Sequence, residues 1–432
     1  MMKLSRTQFI WALLLVAVAL RFGAALALRD IHAGPGWEFG ADGRDFHEIA
    51  LEVSRGNGFR YENEEPTSFR APGFPIALAG VYAIVGERPA AAYVLFALLG
   101  ALSCVLAYAV VREIQPAHPD SERLARWSGV LCALYAPHVY FATVFASENL
   151  FIPCLAVALW CAIRALRDGG WKMWLCCGAM LGVSALVRPF ALLLGPPLAL
   201  MILWRTRPLT QGFVHATVLT LSTIGALTPW VIRNYGVHGQ FVLVATNGGS
   251  TFYGSNNDRT LHDRQYLGGW ISTVKLPGRE QIELLKDEVA HDKLEWALGK
   301  QWVREHLADM PALLFYKLVR FCLPDVDSPN RKYVLLQWVG ATPFLLLMAL
   351  GMAMLCRREY WTPAWLVLHA STLATIATAL IFWGCPRFRD ANLIPLMAYA
   401  AVGLVALASM AQRVRGRKSA SVPPVLLETT SR

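Results

Sequence analysis

About ten apolar runs divide this chain, and each is long enough, or nearly so, to cross a hydrocarbon layer of about 30 Å as a helix. They lie near residues 10–28, 91–111, 127–144, 149–166, 171–187, 190–204, 213–232, 334–355, 361–383 and 391–410. The pair near 171–204 is the shortest, because Arg188-Pro189 separates two short pieces. Few folds are open to a chain built this way. Backbone polar groups in lipid must pair within their own segment, so an all-α polytopic membrane protein is expected. Composition agrees: 55% of the 432 residues are hydrophobic and only 16% charged, against about 25% charged in soluble domains. The nine cysteines lie in or beside apolar runs and form no CxxC pair. They read as small buried hydrophobes, not as a disulfide framework or a zinc site.

Loop charges give the direction of threading. The +10 net charge would suggest nucleic acid in a soluble protein, but basic residues in a membrane protein collect in cytoplasmic loops. With the N-terminus inside, the short inside loops hold Arg112, Arg123 and Arg126, then Arg164, Arg167 and Lys172, then Arg205 and Arg207, then Arg357 and Arg358. The first run ends in Ala25-Leu26-Ala27, which resembles a signal-peptide cleavage site. Arg21 interrupts that run and further spans follow, which favours an uncleaved first helix in the cytoplasmic membrane. Two long polar segments then fall outside, about 29–89 and 233–332. In the first, Pro75–Val85 is apolar but short, as in a helix lying at the interface. In the second, 279–306 mixes charges with Ile282, Leu285, Val289, Leu294, Trp296 and Trp302, as in a surface helix. The tail from 413 to 432 reads as disordered.

Polar chemistry in such a protein belongs at membrane boundaries or in water-lined cavities. The densest candidate is Asp42-Gly43-Arg44-Asp45-Phe46-His47-Glu48, where Asp42 and Asp45 share one helix face. Asp42 also suits a helix N-cap, which is the plainer reading. Arg70 stands before Ala71-Pro72-Gly73-Phe74-Pro75, and Glu148 opens the span after Ser147. No GxxxxGK[ST] loop and no strand-GxGxxG-helix unit is present, and Asp325-Val326-Asp327 has the DxD spelling but reads as turn chemistry.

Taken in order, these motifs resemble the GT-C glycosyltransferases. The likeness is to the dolichyl-phosphate-mannose–protein mannosyltransferases and the bacterial aminoarabinose transferases acting on lipid A. It rests on Asp42 with Phe46, Gly56-Asn57-Gly58-Phe59, Arg70-Ala71-Pro72-Gly73-Phe74-Pro75, Ser147-Glu148-Asn149, Arg188-Pro189, Pro229-Trp230 with Arg233-Asn234-Tyr235, Asn247 and Asn256, and Pro386-Arg387-Phe388-Arg389. The resemblance implies a GT-C-type bundle of about ten transmembrane helices with two extracytoplasmic loops. Residues 1–232 would be the catalytic transmembrane module, 233–332 the large outer loop, and 333–412 the C-terminal helices.

The roles it implies are specific. Asp42 would be the general base on an acceptor hydroxyl, with Glu148 a second acidic group and Asp45 beside it. Arg70 would hold the phosphate of a polyprenyl-phosphate-linked sugar, joined by Arg387 and Arg389. Arg188, Arg233, Asn247 and Asn256 would line the substrate. The acceptor would be a protein, glycolipid or glycan, and no nucleic acid is expected. Phe46 and Phe388 stand where the family prefers Tyr. Phe69 replaces an acidic residue that some aminoarabinose transferases associate with a metal, and His238, His262 and His291 pair with no carboxylate by spacing. No cofactor is expected, and a divalent metal stays open without a ligand cluster to support it. An envelope polysaccharide polymerase or ligase using lipid-pyrophosphate glycans, a lipid-linked sugar flippase, and a non-catalytic assembly protein remain as rivals.

Overall fold

The computed structural model describes residues 4–36, 42–114, 116, 119–324 and 331–420. Among the described residues the secondary structure is helical, with one isolated antiparallel bridge between Arg60 and Pro66. Helix α1 (Arg6–Leu28) is followed by the first loop, which carries α2 (Asp42–Ser54) and α3 (Gly73–Val85). Then come α4 (Pro89–Ile114), α5 (Ser121–Leu134), α6 (Ala136–Phe141), α7 (Glu148–Asp168), α8 (Trp171–Val187), α9 (Gly195–Arg205) and α10 (Leu209–His238). The second loop carries α11 (Gly248–Tyr253), α12 (Asp258–His262), α13 (Arg279–Glu283), α14 (Glu288–Glu305) and α15 (Met310–Cys322). Last are α16 (Arg331–Leu335), α17 (Thr342–Met354), α18 (Pro363–Ile381), α19 (Pro386–Ala391) and α20 (Leu393–Ala420).

Among the described residues, seven helices are long and apolar enough to cross a membrane, against about ten expected. The other three apolar runs are helical but short or broken. The run at 127–144 splits at Tyr135 into α5 and α6, where Pro137 cannot supply the N–H that would continue the first helix. The runs at 171–187 and 190–204 become α8 and, after a 3-10 turn at Pro189–Leu194, the short α9. The expected surface helix at 279–306 is also two pieces, because residues 284–287 leave helical geometry and Leu284 and Leu285 face outward. Residues 413–420 continue α20, while 421–432 of the expected disordered tail and Asp325-Val326-Asp327 lie outside the described residues.

Helix packing follows from small residues. α8 lies along α10, and a side chain on Gly182 would meet the Thr223 carbonyl at 2.7 Å, so only glycine lets the backbones approach. α4 packs between α1, α5 and α7, and α17 lies along α20. The buried thiols number five, while Cys176, Cys322 and Cys356 are exposed and Cys385 is half-buried.

The break between α5 and α6 leaves a carbonyl that lipid cannot satisfy. Arg21, fully buried on α1, supplies the donor: its Nη2 lies 3.3 Å from the Cys132 carbonyl, 3.3 Å from Cys104 Sγ and 2.7 Å from His138 Nδ1. Cys104, Cys132 and His138 converge closely enough to hold a metal, but the Arg21 guanidinium lies among them. Gly100 makes room for that side chain, since a Cβ there would stand 2.5 Å from Arg21 Nε.

Candidate active site

Four separate helix ends meet at one end of the bundle. α1 leads into the loop bearing α2, α7 begins at Glu148, α8 ends before Arg188, and α19 links α18 to α20. The basic residues of the short loops gather at the other end. There Glu122 pairs with Arg6, Arg112 and Arg126, and Arg167 pairs with Glu113.

At the first end the carboxylates and guanidiniums alternate in a continuous row. Arg70 gives Nε and Nη2 to Asp45 Oδ2 at 2.8 and 2.6 Å, and its Nη1 lies 2.8 Å from Asp42 Oδ1. Arg387 repeats the pattern from the other side. Its Nε and Nη2 engage Glu148, the latter at 3.0 Å, and its Nη1 donates to Asp42 Oδ2 at 2.7 Å. Arg188 completes the row, with Nη2 at 2.6 Å from Glu148 Oε1 and Nε at 3.1 Å from Ser147 Oγ. Three acids face three arginines, so the group is neutral while each member is largely withdrawn from water. Glu148 is fully buried, and Asp42 and Arg387 keep about a quarter and an eighth of their side-chain exposure (24% and 12%).

Local sequence explains the convergence. Gly73 lets the Arg70–Pro75 turn lie against the end of α8, where a side chain would meet Val187 Cγ2 at 2.7 Å. Pro189 ends α8 and frees the Arg188 side chain at the turn. Phe46 and Phe69 lie beneath the Arg70 guanidinium at 5.8 and 5.1 Å, so Phe at position 46 serves as a cation-π floor without a hydroxyl.

The two neighbouring aspartates are driven apart in acidity. Burial alone would raise Asp42, but Arg70 and then Arg387 overcome it and hold the carboxyl down at about 2. For Asp45 burial wins over Arg70, and its pKa lies above the usual value. Tyr61, next to Arg70, is likewise pushed up by burial.

Four expected site residues lie elsewhere. Arg389 donates to the carbonyls of Phe321, Cys322 and Leu323 at the end of α15 and pairs with Asp390 at 3.0 Å. Arg233 is a clamp: it reaches the Thr67 and Phe59 carbonyls and Ser68 Oγ, with Trp230 under it at 4.7 Å. Asn247 precedes α11, and its carbonyl accepts from Ser250 and Thr251. Asn256 accepts from Lys317 Nζ at 2.8 Å, a buried lysine that also donates to the Leu380 carbonyl at the end of α18. Burial brings Lys317 down to about 7.

Sequence reasoning missed the support behind Arg70. Ser68 Oγ bonds Asn234 and lies 2.8 Å from His238 Nε2. Glu288 of α14 accepts from Thr67 Oγ1 at 2.7 Å, from the Ser68 N–H at 2.9 Å and from Thr246 Oγ1. The second loop therefore holds the first. Glu288→Ala leaves three donors without their acceptor and is expected to cost about 1–3 kcal/mol, read as a lower melting temperature in detergent.

Comparison with known proteins places the architecture. Residues 69–232, less than half of the chain, match the family described as dolichyl-phosphate-mannose–protein mannosyltransferase. The oligosaccharyltransferase AglB from Archaeoglobus fulgidus, solved with an inhibitory peptide and a dolichol-phosphate, aligns over 96% of this chain at a TM-score of 0.56 and 13% identity. The fold is GT-C. The chain spans about half of AglB, 52% of its length, so the GT-C likeness concerns the bundle and its loops. ArnT from Cupriavidus metallidurans, solved with undecaprenyl phosphate, aligns over 93% of this chain and 79% of its own at 15% identity and a TM-score of 0.42. No curated protein matches the sequence.

Another AglB structure is a complex with Zn and sulfate, sharing 13% identity and aligning over 94% of this chain and 50% of its own at a TM-score of 0.55. In this chain the acids are engaged by arginines. Arg387 stands between Asp42 and Glu148, where a cation shared by the two would stand. The donor set as arranged does not suit a divalent cation.

Proposed function

We propose that the protein is an integral-membrane glycosyltransferase. It moves a sugar from a polyprenyl-phosphate-linked donor to an acceptor hydroxyl or phosphate group by inverting displacement. The observation that carries this reading is the pair Arg70 and Arg387, each aiming an Nη1 at Asp42 from an anchored guanidinium. Two guanidiniums set this way suit a phosphate, because planar N–H donors match its oxygens. A carboxylate beside them can take the proton of an attacking hydroxyl. The fold and the family match support the same class, as do the dolichol-phosphate and peptide of the AglB complex.

The row of charges lies opposite the basic loop ends, which supports a site on the extracytoplasmic side of the cytoplasmic membrane. The second loop, bound to the first through Glu288, is the natural place for acceptor choice.

The test is mass spectrometry of envelope glycans, glycolipids and glycoproteins from a strain lacking the chain. A missing hexose or pentose is expected, restored by the wild type and not by Asp42→Asn. An unaltered profile with lipid-linked sugar accumulating on the inner leaflet would instead identify a flippase. Loss of a whole polymer would identify a polymerase or ligase.

A further inference from the structure

Arg70 and Arg387 share an arrangement that goes beyond a phosphate site. Each fixes its Nε/Nη2 edge on a carboxylate of its own, Asp45 for Arg70 and Glu148 for Arg387. Each turns its Nη1 to the same third carboxylate, one to Asp42 Oδ1 and the other to Oδ2. Glu148 has a further partner in Arg188. Loss of Asp42 from the row would therefore leave both guanidiniums anchored, with two N–H groups converging on a vacated anion position. We propose that Asp42 stands in for the donor phosphate in the donor-free protein, and that the arriving phosphate displaces it and thereby makes it a base. This inference rests on the glycosyl-transfer reading above.

The proposal resolves a conflict. A carboxylate with both oxygens held by guanidiniums is a poor proton acceptor, and Asp42 at rest is such a group. Once the Nη1 groups turn to phosphate oxygens, what acts on Asp42 is its burial and a new neighbouring anion, and both favour the protonated form. The charged and titratable groups around it are Asp45 on its own helix, Arg70 with Tyr61 behind it, Glu148 on α7, Arg188 after α8, and Arg387 on α19. Glu48 bears on Asp45 from one turn further along α2.

The charges balance through the reaction. The neutral row receives one phosphodiester anion. The acceptor oxygen bonds to the anomeric carbon, and the bond from that carbon to the phosphate oxygen breaks with its electron pair on the phosphate. The acceptor's proton goes to Asp42, and the second phosphate charge falls on the two Nη1 groups. When the lipid phosphate leaves, the arginines return to Asp42 and its proton passes to water. Donor binds before acceptor, because no base exists until it does.

The test is calorimetric binding of a polyprenyl methyl phosphodiester to the full chain in detergent. This probe carries no transferable sugar, and its charge is constant over the working pH range. Wild type is expected to bind more tightly as pH falls from about 7 to 5, approaching tenfold per unit where one proton is taken up. Asp42→Asn is expected to bind roughly 10- to 100-fold more tightly at pH 7, the range of one charge-assisted hydrogen bond, with no pH slope. Asp45→Asn should keep the slope. Wild-type affinity and slope in Asp42→Asn, or a slope lost only in Asp45→Asn, would overturn the proposal and leave a lipid-phosphate site standing. Failure of wild type and every variant to bind the probe would remove the proposed function as well.

Discussion

Asp42→Asn is expected to fold as the wild type does and to lose sugar transfer by about 10²- to 10⁴-fold, the usual contribution of a positioned base. The amide keeps the shape of the carboxylate and one acceptor oxygen. It also brings N–H donors against a guanidinium, so some local adjustment follows. Measured with a radiolabelled lipid-linked sugar and envelope extract as acceptor, the loss should fall on the turnover rate, while donor affinity rises. Asp45→Asn is the informative control. Asp45 anchors Arg70 through two of its nitrogens, so its loss should raise the donor concentration needed and leave a larger share of the maximal rate. Transfer at the wild-type rate by Asp42→Asn would place the base elsewhere, with Asp45 the first candidate because burial already raises its pKa.

Arg387→Met should damage both stability and activity. Arg387 is the residue that joins Asp42 to the fully buried Glu148, so its removal leaves two withdrawn carboxylates short of a partner. Removing one side of a buried ion pair typically costs about 3–5 kcal/mol. Arg70 and Arg188 remain in place, so the lower part of that range is expected. Transfer should fall by about 10²- to 10³-fold, as when one donor to a developing charge is removed. Adding Glu148→Gln to the same chain should recover part of the melting temperature and none of the rate. Arg387→Lys keeps the charge but cannot span two carboxylates. It should therefore melt closer to wild type while remaining slow. Full activity in Arg387→Met would remove it from the phosphate site.

Much of this site was legible because its residues sit at helix boundaries in an otherwise apolar chain, where a charge has few structural uses. Asp42, Asp45, Arg70, Glu148 and Arg387 are all of this kind, and all meet. Arg389 looked equivalent to Arg387, yet two residues along a helix turn the side chain by about 200°. One therefore enters the row, while the other reaches the carbonyl end of α15. Arg233 and Asn256 matched motifs whose work here is to hold loops, to Thr67 and Phe59 in one case and to Lys317 in the other. Glu288 gave no signal, because its partners Thr67 and Ser68 lie about 220 residues away in sequence, Thr246 lies in another part of its own loop, and its own surroundings read as a solvated helix. The apolar runs around Pro137 and Pro189 give shorter helices than the seven long ones for a related reason. Apolarity continues through Pro137, and only the missing backbone N–H says that the helix does not, whereas at Pro189 the preceding Arg188 already marks the break.

Arg21 bears on how the chain is made. A helix with arginine near its middle enters hydrocarbon at a penalty of about 2.5–3.5 kcal/mol unless the charge finds company. The groups that receive it belong to Cys104, Cys132 and His138, the last of them 117 residues further along. Synthesis therefore delivers the first segment long before its partners exist. Until α4 to α6 emerge, the apolar remainder of that segment has to offset the arginine by itself. Packing of α1 against α4 to α6 then relieves the charge as well as burying surface, which ties the N-terminal third of the bundle together.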